Sequence, residues 1–302
     1  MDRKFHPAIA AIKSGDINEL KSLLRQDPSL AIARSSRSHP TLLQCLALDA
    51  VDVPNKVEMA KVLIDAGTDV NGPLVAAASI GNVEVAEALL DAGAAIDGTD
   101  WWSPLEEALY WGNVGVVTLL LERGASVRNL RTAAGLGRMD LLENLFNNDG
   151  SLKLEAGKIN WPFGEVEKSN LKGKIKAELQ ARIDQWSNDA KDIINNAFIY
   201  ACMYNHIEAA KYLLEKGADI NAIPPGFDYA GTGLHYAALR GHRAMVDFLL
   251  EQGANPSIKD TKVGTLPSGW ADYGGHPELR DYLDSKSHES QNIDSAHRIS
   301  GR

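Results

Sequence analysis

Cysteine is scarce in this sequence, and several chemical motifs are missing altogether. The 302 residues contain only Cys45 and Cys202, which excludes a framework of several disulfides and a zinc site made of four cysteines. The patterns Cys-x-x-Cys, His-Glu-x-x-His and Gly-x-Ser-x-Gly do not occur. We therefore expect no metal, no cofactor and no catalytic residues, and we interpret the chain as one that is not an enzyme.

Long apolar runs and an excess of positive charge are also missing. Nowhere do about 18 apolar residues follow one another, and the start, MDRKFHPAIAAIKSGD, lacks the apolar core of a signal peptide. The formal net charge of −9 at pH 7 disfavours binding to nucleic-acid phosphates and to anionic membranes. These features predict a cytoplasmic protein that binds neither nucleic acid nor membrane.

The stretch TGLHYAALRGHRAMVDFLLEQGA, residues 232–254, predicts a hairpin of two short helices. Thr232 is a typical N-cap residue, and Gly241 ends the first helix. The second helix has an apolar stripe that includes Leu249, and Gly253 suits the left-handed residue that closes a helix. Because helices this short are marginal alone in water, the hairpin must pack against neighbours.

The same order of residues returns along the chain. Three further copies are GPLVAAASIGNVEVAEALLDAGA at 72–94, SPLEEALYWGNVGVVTLLLERGA at 103–125 and AFIYACMYNHIEAAKYLLEKGA at 197–218. The turns between paired helices are expected at Gly81, Gly112, Asn205, Gly241 and Gly275. Where neighbouring copies are clear, the intervals between turns are 31, 36 and 34 residues. The chain is therefore predicted to be a tandem repeat.

The order T-x-L-H-x-A-A, G-H, L-L and G-A, recurring about every 33 residues, resembles the ankyrin repeat, and the chain as a whole is similar to bacterial ankyrin-repeat proteins. Weaker copies lie at 8–30, 41–71 and 130–146, with a terminal cap at 266–283. The resemblance implies an all-α fold, an ankyrin-repeat α-solenoid of stacked helix-turn-helix units joined by short hairpin loops. We expect a single domain over residues 1–284, with about eight units including caps.

Residues 147–195 depart from the repeat pattern. Apolar residues at intervals of three or four, from Leu171 to Trp186, predict an inserted helix over about 166–186. Residues 285–302 are polar and without periodicity, so we expect a disordered C-terminal tail.

Most titratable side chains are explained by the repeat. His206, His242 and His276 each follow a turn, and His235 belongs to the T-x-L-H pattern, so none of them is expected to bind a metal. The adjacent Glu106 and Glu107 point in different directions on a helix, which predicts a solvated face rather than an acid–base pair.

The resemblance implies a non-catalytic protein–protein interaction module or scaffold, which we expect to be monomeric. It would bind a protein or peptide partner through its concave face and hairpin tips. Stacking places equivalent residues side by side, and aromatic residues and arginine are typical of binding hot spots. The expected partner-binding residues are Glu107, Tyr110, Trp111, Tyr200, Tyr204, Tyr236 and Arg240 in the repeats and Trp101, Trp102, Phe227 and Tyr229 at the tips.

Other interpretations stay open at this point. The aromatic rings of the repeats could pack against the next repeat or under the inserted helix, which could itself occlude the concave groove. Trp101 and Trp102 could cover that helix. The alternative function is that of an enzyme, or of a regulator associated with one, with a small-ligand site between the insertion and the repeats that involves Trp161 or Phe163.

Overall fold

A computed structural model describes residues 2–35, 41–50, 52–99, 103–153, 156–157, 189–225 and 230–287. The chain forms two compact units, and the described residues belong to the first unit up to Ser126 and to the second from Val127 onward. Helices make up both units. The described residues form no strand, and an isolated bridge joins Phe146 to Leu152. The predicted all-α class is therefore confirmed, whereas a single domain over 1–284 stays a prediction.

The first unit consists of helical hairpins stacked in two layers. The first helices of successive hairpins, α1, α4, α6 and α8, pack against one another in that order, and so do the second helices α2, α5, α7 and α9. Their bounds are α1 His6–Ser14, α2 Ile17–Gln26, α3 Ser29–Ile32, α4 Leu42–Asp49, α5 Lys56–Asp65, α6 Asn71–Ile80, α7 Val83–Asp91, α8 Pro104–Trp111 and α9 Val114–Glu122.

The second unit repeats this arrangement. The first helices α10, α12, α14 and α16 pack in that order, and each is followed by its partner after a tight turn. The bounds are α10 Leu130–Gly135, α11 Met139–Asn144, α12 Ala190–Met203, α13 Ile207–Glu215, α14 Gly233–Leu239, α15 Arg243–Glu251, α16 Pro267–Tyr273 and α17, with residues 277–287 described.

The turns lie where the sequence predicts them, at the five positions from Gly81 to Gly275. Asn205 and the four glycines all have a left-handed backbone, with φ between 59° and 82°. At Gly241 the requirement for glycine is twofold, because φ is 70° and a Cβ atom would lie 2.5 Å from Cε1 of His276. The turn therefore also fixes how closely the next repeat approaches.

At four of the turns, the residue that follows ties its hairpin to the preceding repeat. In the first unit, the amides of Asn82 and Asn113 donate to the carbonyl oxygens of Ala47 and Ala78 at 3.3 and 2.7 Å. In the second unit, Nε2 of His206 and of His242 lies 3.1 and 2.9 Å from the carbonyl oxygens of Gly135 and Met203. Since a carbonyl only accepts, Nε2 carries the proton. The structural role predicted for these two histidines is confirmed.

A second set of hydrogen bonds aligns the loops between repeats. In each case a side-chain oxygen of one repeat accepts from a backbone N–H of the next, at 2.8 Å. Backbone N–H groups of loops need hydrogen-bond acceptors, and these side chains supply them. The pairs are Asn71 with Ala95, Asp97 with Ser126, Asn195 with Asp219 and Asn221 with Asn255.

Two predicted boundaries need correction. Helix α12 begins at Ala190, so residues 190–195 belong to a repeat helix and not to the insertion. Residues 285–287 are helical instead of disordered, and the Ser287 hydroxyl donates to the carbonyl oxygen of Pro256 at 3.2 Å. The predicted inserted helix at about 166–186 and the rest of the tail lie outside the described residues.

Candidate functional site

The predicted partner-binding residues fall into groups with different surroundings. Glu107, Tyr110 and Trp111 lie at the end of α8 in the first unit. Tyr200, Tyr204, Tyr236 and Arg240 lie on α12 and α14 of the second unit or directly after them. Outside the described residues lie the hairpin-tip candidates Trp101, Trp102, Phe227 and Tyr229, together with Trp161 and Phe163 of the alternative site.

Glu107, Tyr110 and Trp111 form an ordered surface, which we call the Trp111 surface. The Trp111 side chain is 46% exposed, and its indole N–H donates to Oε1 of Glu107, one helical turn earlier, at 2.8 Å. The rings of Tyr110 and Trp111 pack edge to face, with centroids 5.1 Å apart. The indole is thus both accessible and held in place.

The start of α8 explains this position. The Ser103 hydroxyl accepts from the N–H of Glu106. Pro104 occupies the first helical position, where a backbone N–H would have no acceptor within the helix, so its absence costs no hydrogen bond. Glu106 is only 6% exposed, so its predicted place on a solvated face is wrong. Helix α8 packs between α6 and α9, and Glu107 and Trp111 lie on its more exposed side.

Two exposed valines extend the Trp111 surface, and neither is among the predicted binding residues. Val114 follows the same turn and is exposed, as is Val83 at the equivalent position of the preceding repeat. A Cβ atom on Gly115 would lie 2.9 Å from Cγ2 of Val83, which places the two valine positions side by side. A valine directly after the turn asparagine was the available signal in the sequence.

Tyr200 and Tyr236 do not belong to a binding surface. They are 3% and 5% exposed, and Tyr236 packs with Ile199, Met203 and Trp270 in the core of the second unit. The ring centroids of Tyr236 and Trp270 are 5.1 Å apart, edge to face. Among the alternatives left open by the sequence, packing against the next repeat is the correct one for Tyr236.

Tyr204 and Arg240 stand just before the turns of neighbouring repeats, and each is half-buried. Tyr204 packs against the core cluster of Tyr236 and Trp270, and its ring stacks near His206 with centroids 6.4 Å apart. Burial raises the pKa of Tyr204 to about 12, although the charge of Arg240 opposes the rise. The Tyr204 hydroxyl is therefore neutral at physiological pH.

Trp270 is tied to a carboxylate that organises the preceding loop. Asp260 accepts backbone N–H bonds from Lys262, Val263 and Thr265 at 2.8–2.9 Å, and the indole N–H of Trp270 at 3.1 Å. Burial alone would raise the pKa of Asp260, but these hydrogen bonds outweigh burial and lower it to about 2. This buried charge serves the fold.

Comparison with known proteins identifies the architecture. Residues 47–131 and 175–260, together more than half of the chain, match the family model described as ankyrin repeats (3 copies). The chain belongs to the ankyrin-repeat family. Ankyrin repeats are protein-interaction modules, and the stacked helical hairpins of each unit agree with that membership.

Ankyrin-repeat relatives match this chain over short segments. A putative E3 ubiquitin-protein ligase, XBAT35 of Arabidopsis thaliana, is 48% identical over 61 residues, which is 20% of this chain and 13% of that protein. The E3 ubiquitin-protein ligase hecd-1 of Caenorhabditis elegans is 30% identical over 95 residues, or 32% of this chain and 3% of its own length. The palmitoyltransferase ZDHHC17 of Homo sapiens is 39% identical over 61 residues, covering 20% and 9%. The matches thus span at most 13% of these relatives.

One histidine and both cysteines are buried within the ankyrin repeats. His235 is fully buried, where its Nδ1 accepts from the N–H of Thr232 at 3.1 Å and its Nε2 lies 3.2 Å from the carbonyl oxygen of Thr265. Cys45 and Cys202 are buried free thiols, and burial raises the pKa of both.

Across the described ranges, no three His, Cys, Asp or Glu side chains lie close enough together to bind a metal ion. Within the same ranges, no helix has both the length and the apolar character of a bilayer span.

Proposed function

We propose that this chain is a non-catalytic interaction module that binds a protein or peptide partner through the ends of its first helices, on the concave side of the repeats, and through its hairpin tips. The observation that carries the proposal is the Trp111 surface. A tryptophan that is nearly half exposed yet fixed by Glu107 and Tyr110 loses little conformational freedom on binding. Tryptophan is also among the residues most enriched in binding hot spots.

The absence of catalysis is part of this proposal. It is supported by the roles of the histidines, since His206, His235 and His242 hold neighbouring backbone segments and burial lowers the pKa of each. The ligase and transferase names belong to relatives that match this chain over a small part of their length. We infer that the repeats supply recognition and not the chemistry that those names describe.

We also propose that the protein is a cytoplasmic monomer that does not bind nucleic acid. Two buried free thiols fit a reducing compartment, and a net charge of −9 opposes phosphate binding. Light scattering during gel filtration is expected to give a mass near 32.7 kDa, and a fluorescent fusion is expected to fill the cytoplasm. A doubled mass would contradict the monomer, and fluorescence confined to an organelle would contradict the cytoplasmic location.

Affinity capture from native lysate with quantitative mass spectrometry tests the binding proposal. The bait would be wild type, Trp111→Ala or Ile32→Ala; the last removes another exposed apolar side chain of the first unit, away from α8. We expect a partner to be retained by wild type and by Ile32→Ala and lost with Trp111→Ala, while circular dichroism stays unchanged. Equal retention by all three baits would refute the assignment of the Trp111 surface.

A further inference from the structure

Arg240 differs from three other arginines of the second unit. Arg138, Arg243 and Arg280 each pair with a carboxylate at 2.6–2.9 Å. Arg240 forms no ion pair within the described part of the chain, although it is half-buried and its Nε–H is buried without an acceptor there. Arginine is usually this deep only when its donors are paired. Among the described residues, the Nε–H of Arg240 therefore lacks the acceptor that a buried donor normally has.

Arg240 acts electrostatically on side chains of two adjacent turns. Its charge acts on the pKa of Tyr204 and of His242, and the other side chains that act on His242 are His206 and His276. None of these groups is a carboxylate. Burial lowers the pKa of His206 and His242, which leaves both neutral at physiological pH. In a chain with a net charge of −9, Arg240 thus places a positive charge beside two neutral imidazoles.

The neighbouring repeats shape the space beside Arg240. In the preceding repeat, Tyr204 occupies the equivalent position, and its ring packs against the core. In the following repeat, the equivalent residue is Gly274, where a Cβ atom would collide with the carbonyl oxygen of Leu239. No side chain of residue 274 can therefore cover the guanidinium. We call Tyr204 and Arg240 the Arg240 step.

We propose that the Arg240 step binds the carboxylate of an aspartate or glutamate in a peptide segment of the partner. The proposal rests on the proposed function and specifies its partner as an acidic segment. A guanidinium fork matches a carboxylate with two parallel hydrogen bonds, and a half-buried site strengthens them relative to open water. One positive charge flanked by neutral imidazoles suits a singly charged carboxylate better than a doubly charged phosphate.

Selection of random peptides displayed on phage tests this proposal with the full chain. Wild type is expected to enrich sequences that share an Asp or Glu at a fixed distance from an apolar residue. Arg240→Glu is expected to enrich Lys or Arg at that place instead, because it reverses the charge that the peptide meets. Arg240→Gln should lower the affinity for the selected acidic peptide by about tenfold or more.

Arg243→Gln is the matched control. It removes the same charge from the same repeat, but Arg243 is paired with Asp247 and exposed. We expect it to leave the affinity for the selected peptide within about twofold, because exposed charges mainly change encounter rates. Circular dichroism and thermal unfolding of all variants establish that they fold, and Arg240→Lys, which keeps the charge but loses the fork, should bind between wild type and Arg240→Gln.

The outcomes separate this inference from the proposed function. If wild type enriches peptides that lack a shared acidic residue, or if Arg240→Gln binds the acidic peptide as well as wild type does, the acidic preference is overturned while peptide binding stands. If wild type enriches no peptide at all, recognition of peptide segments fails and the inference fails with it. If Arg243→Gln lowers the affinity as much as Arg240→Gln does, the effect is due to net charge. That result would also overturn the assignment of carboxylate binding to the Arg240 step.

Discussion

Acidification is expected to destabilise the second unit through His235, which the fold holds in its neutral form. Its Nδ1 accepts from Thr232, so adding a proton there would replace a hydrogen bond with a repulsion between donors. Burial lowers the pKa of His235 to about 4, although Thr265 and Asp260 oppose the change. The ordinary histidine pKa is 6.5, so the unfolded chain takes up this proton first.

The magnitude follows from the two pKa values. Each pKa unit corresponds to about 1.4 kcal/mol, so the difference between 6.5 and about 4 is worth about 3 kcal/mol. A histidine with a lowered folded pKa leaves stability unchanged above about pH 6.5, costs stability as the pH falls from there, and costs nothing further below about pH 4. Between pH 7 and about 4.5, His235 should thus remove about 2 kcal/mol from the free energy of unfolding.

The variant His235→Gln isolates this contribution, and the chain itself suggests the replacement. In the first unit, Gln44 occupies the equivalent helix position and accepts from the N–H of Thr41 at 3.3 Å, so glutamine can maintain the cap. Urea unfolding of both proteins at neutral and acidic pH should show that His235→Gln loses about 2 kcal/mol less than wild type. Equal losses in the two proteins would refute the reasoning, because the other titrating groups are common to both.

Three further predictions concern stability and are measured by urea or thermal unfolding. Leu249→Ala should cost about 2–5 kcal/mol, because that side chain is fully buried, whereas the half-buried Leu250→Ala should cost clearly less; equal losses would contradict the assigned core. Asn113→Ala removes a 2.7 Å hydrogen bond to the preceding repeat and should cost about 1–3 kcal/mol; a loss within error would show that the bond between repeats is dispensable. Asp260→Asn should weaken the loop before Trp270, and because the pKa of Asp260 is lowered to about 2, the stabilisation from its charge should persist above about pH 4 and vanish as the pH falls towards 2; an unchanged acid profile in the variant would count against it.

The repeat itself could be predicted from the sequence because the backbone conformation of its turns requires particular residues. A left-handed residue is required at each turn, and glycine or asparagine meets that requirement, so Gly112, Asn205 and Gly241 mark the helix ends. Likewise, a histidine directly after a turn has a backbone carbonyl of the previous repeat within reach. These are local rules, and each copy of the repeat applies them again.

The exposure of the candidate site could not be predicted in the same way. Tyr200, Tyr236 and Trp111 all carry the aromatic signature of an interface, yet only Trp111 is exposed. The difference for Tyr236 lies in the next repeat, where Trp270 fills the space above the ring. Such packing depends on residue sizes about one repeat away and on helix register, which a positional pattern does not encode. The same holds for Glu106, which becomes buried as its neighbours stack.

Four residues that directly follow a turn bridge successive repeats, with different chemistry in the two units. In the first unit, Asn82 and Asn113 bridge successive repeats with amides, which gain no proton at any physiological pH. In the second unit, His206 and His242 do so with imidazoles whose pKa burial lowers. Protonation of His206 and His242 at acidic pH would therefore weaken these two bridges, whereas the amide bridges of Asn82 and Asn113 would not titrate. Among these four bridges, acid sensitivity is thus confined to the two in the second unit.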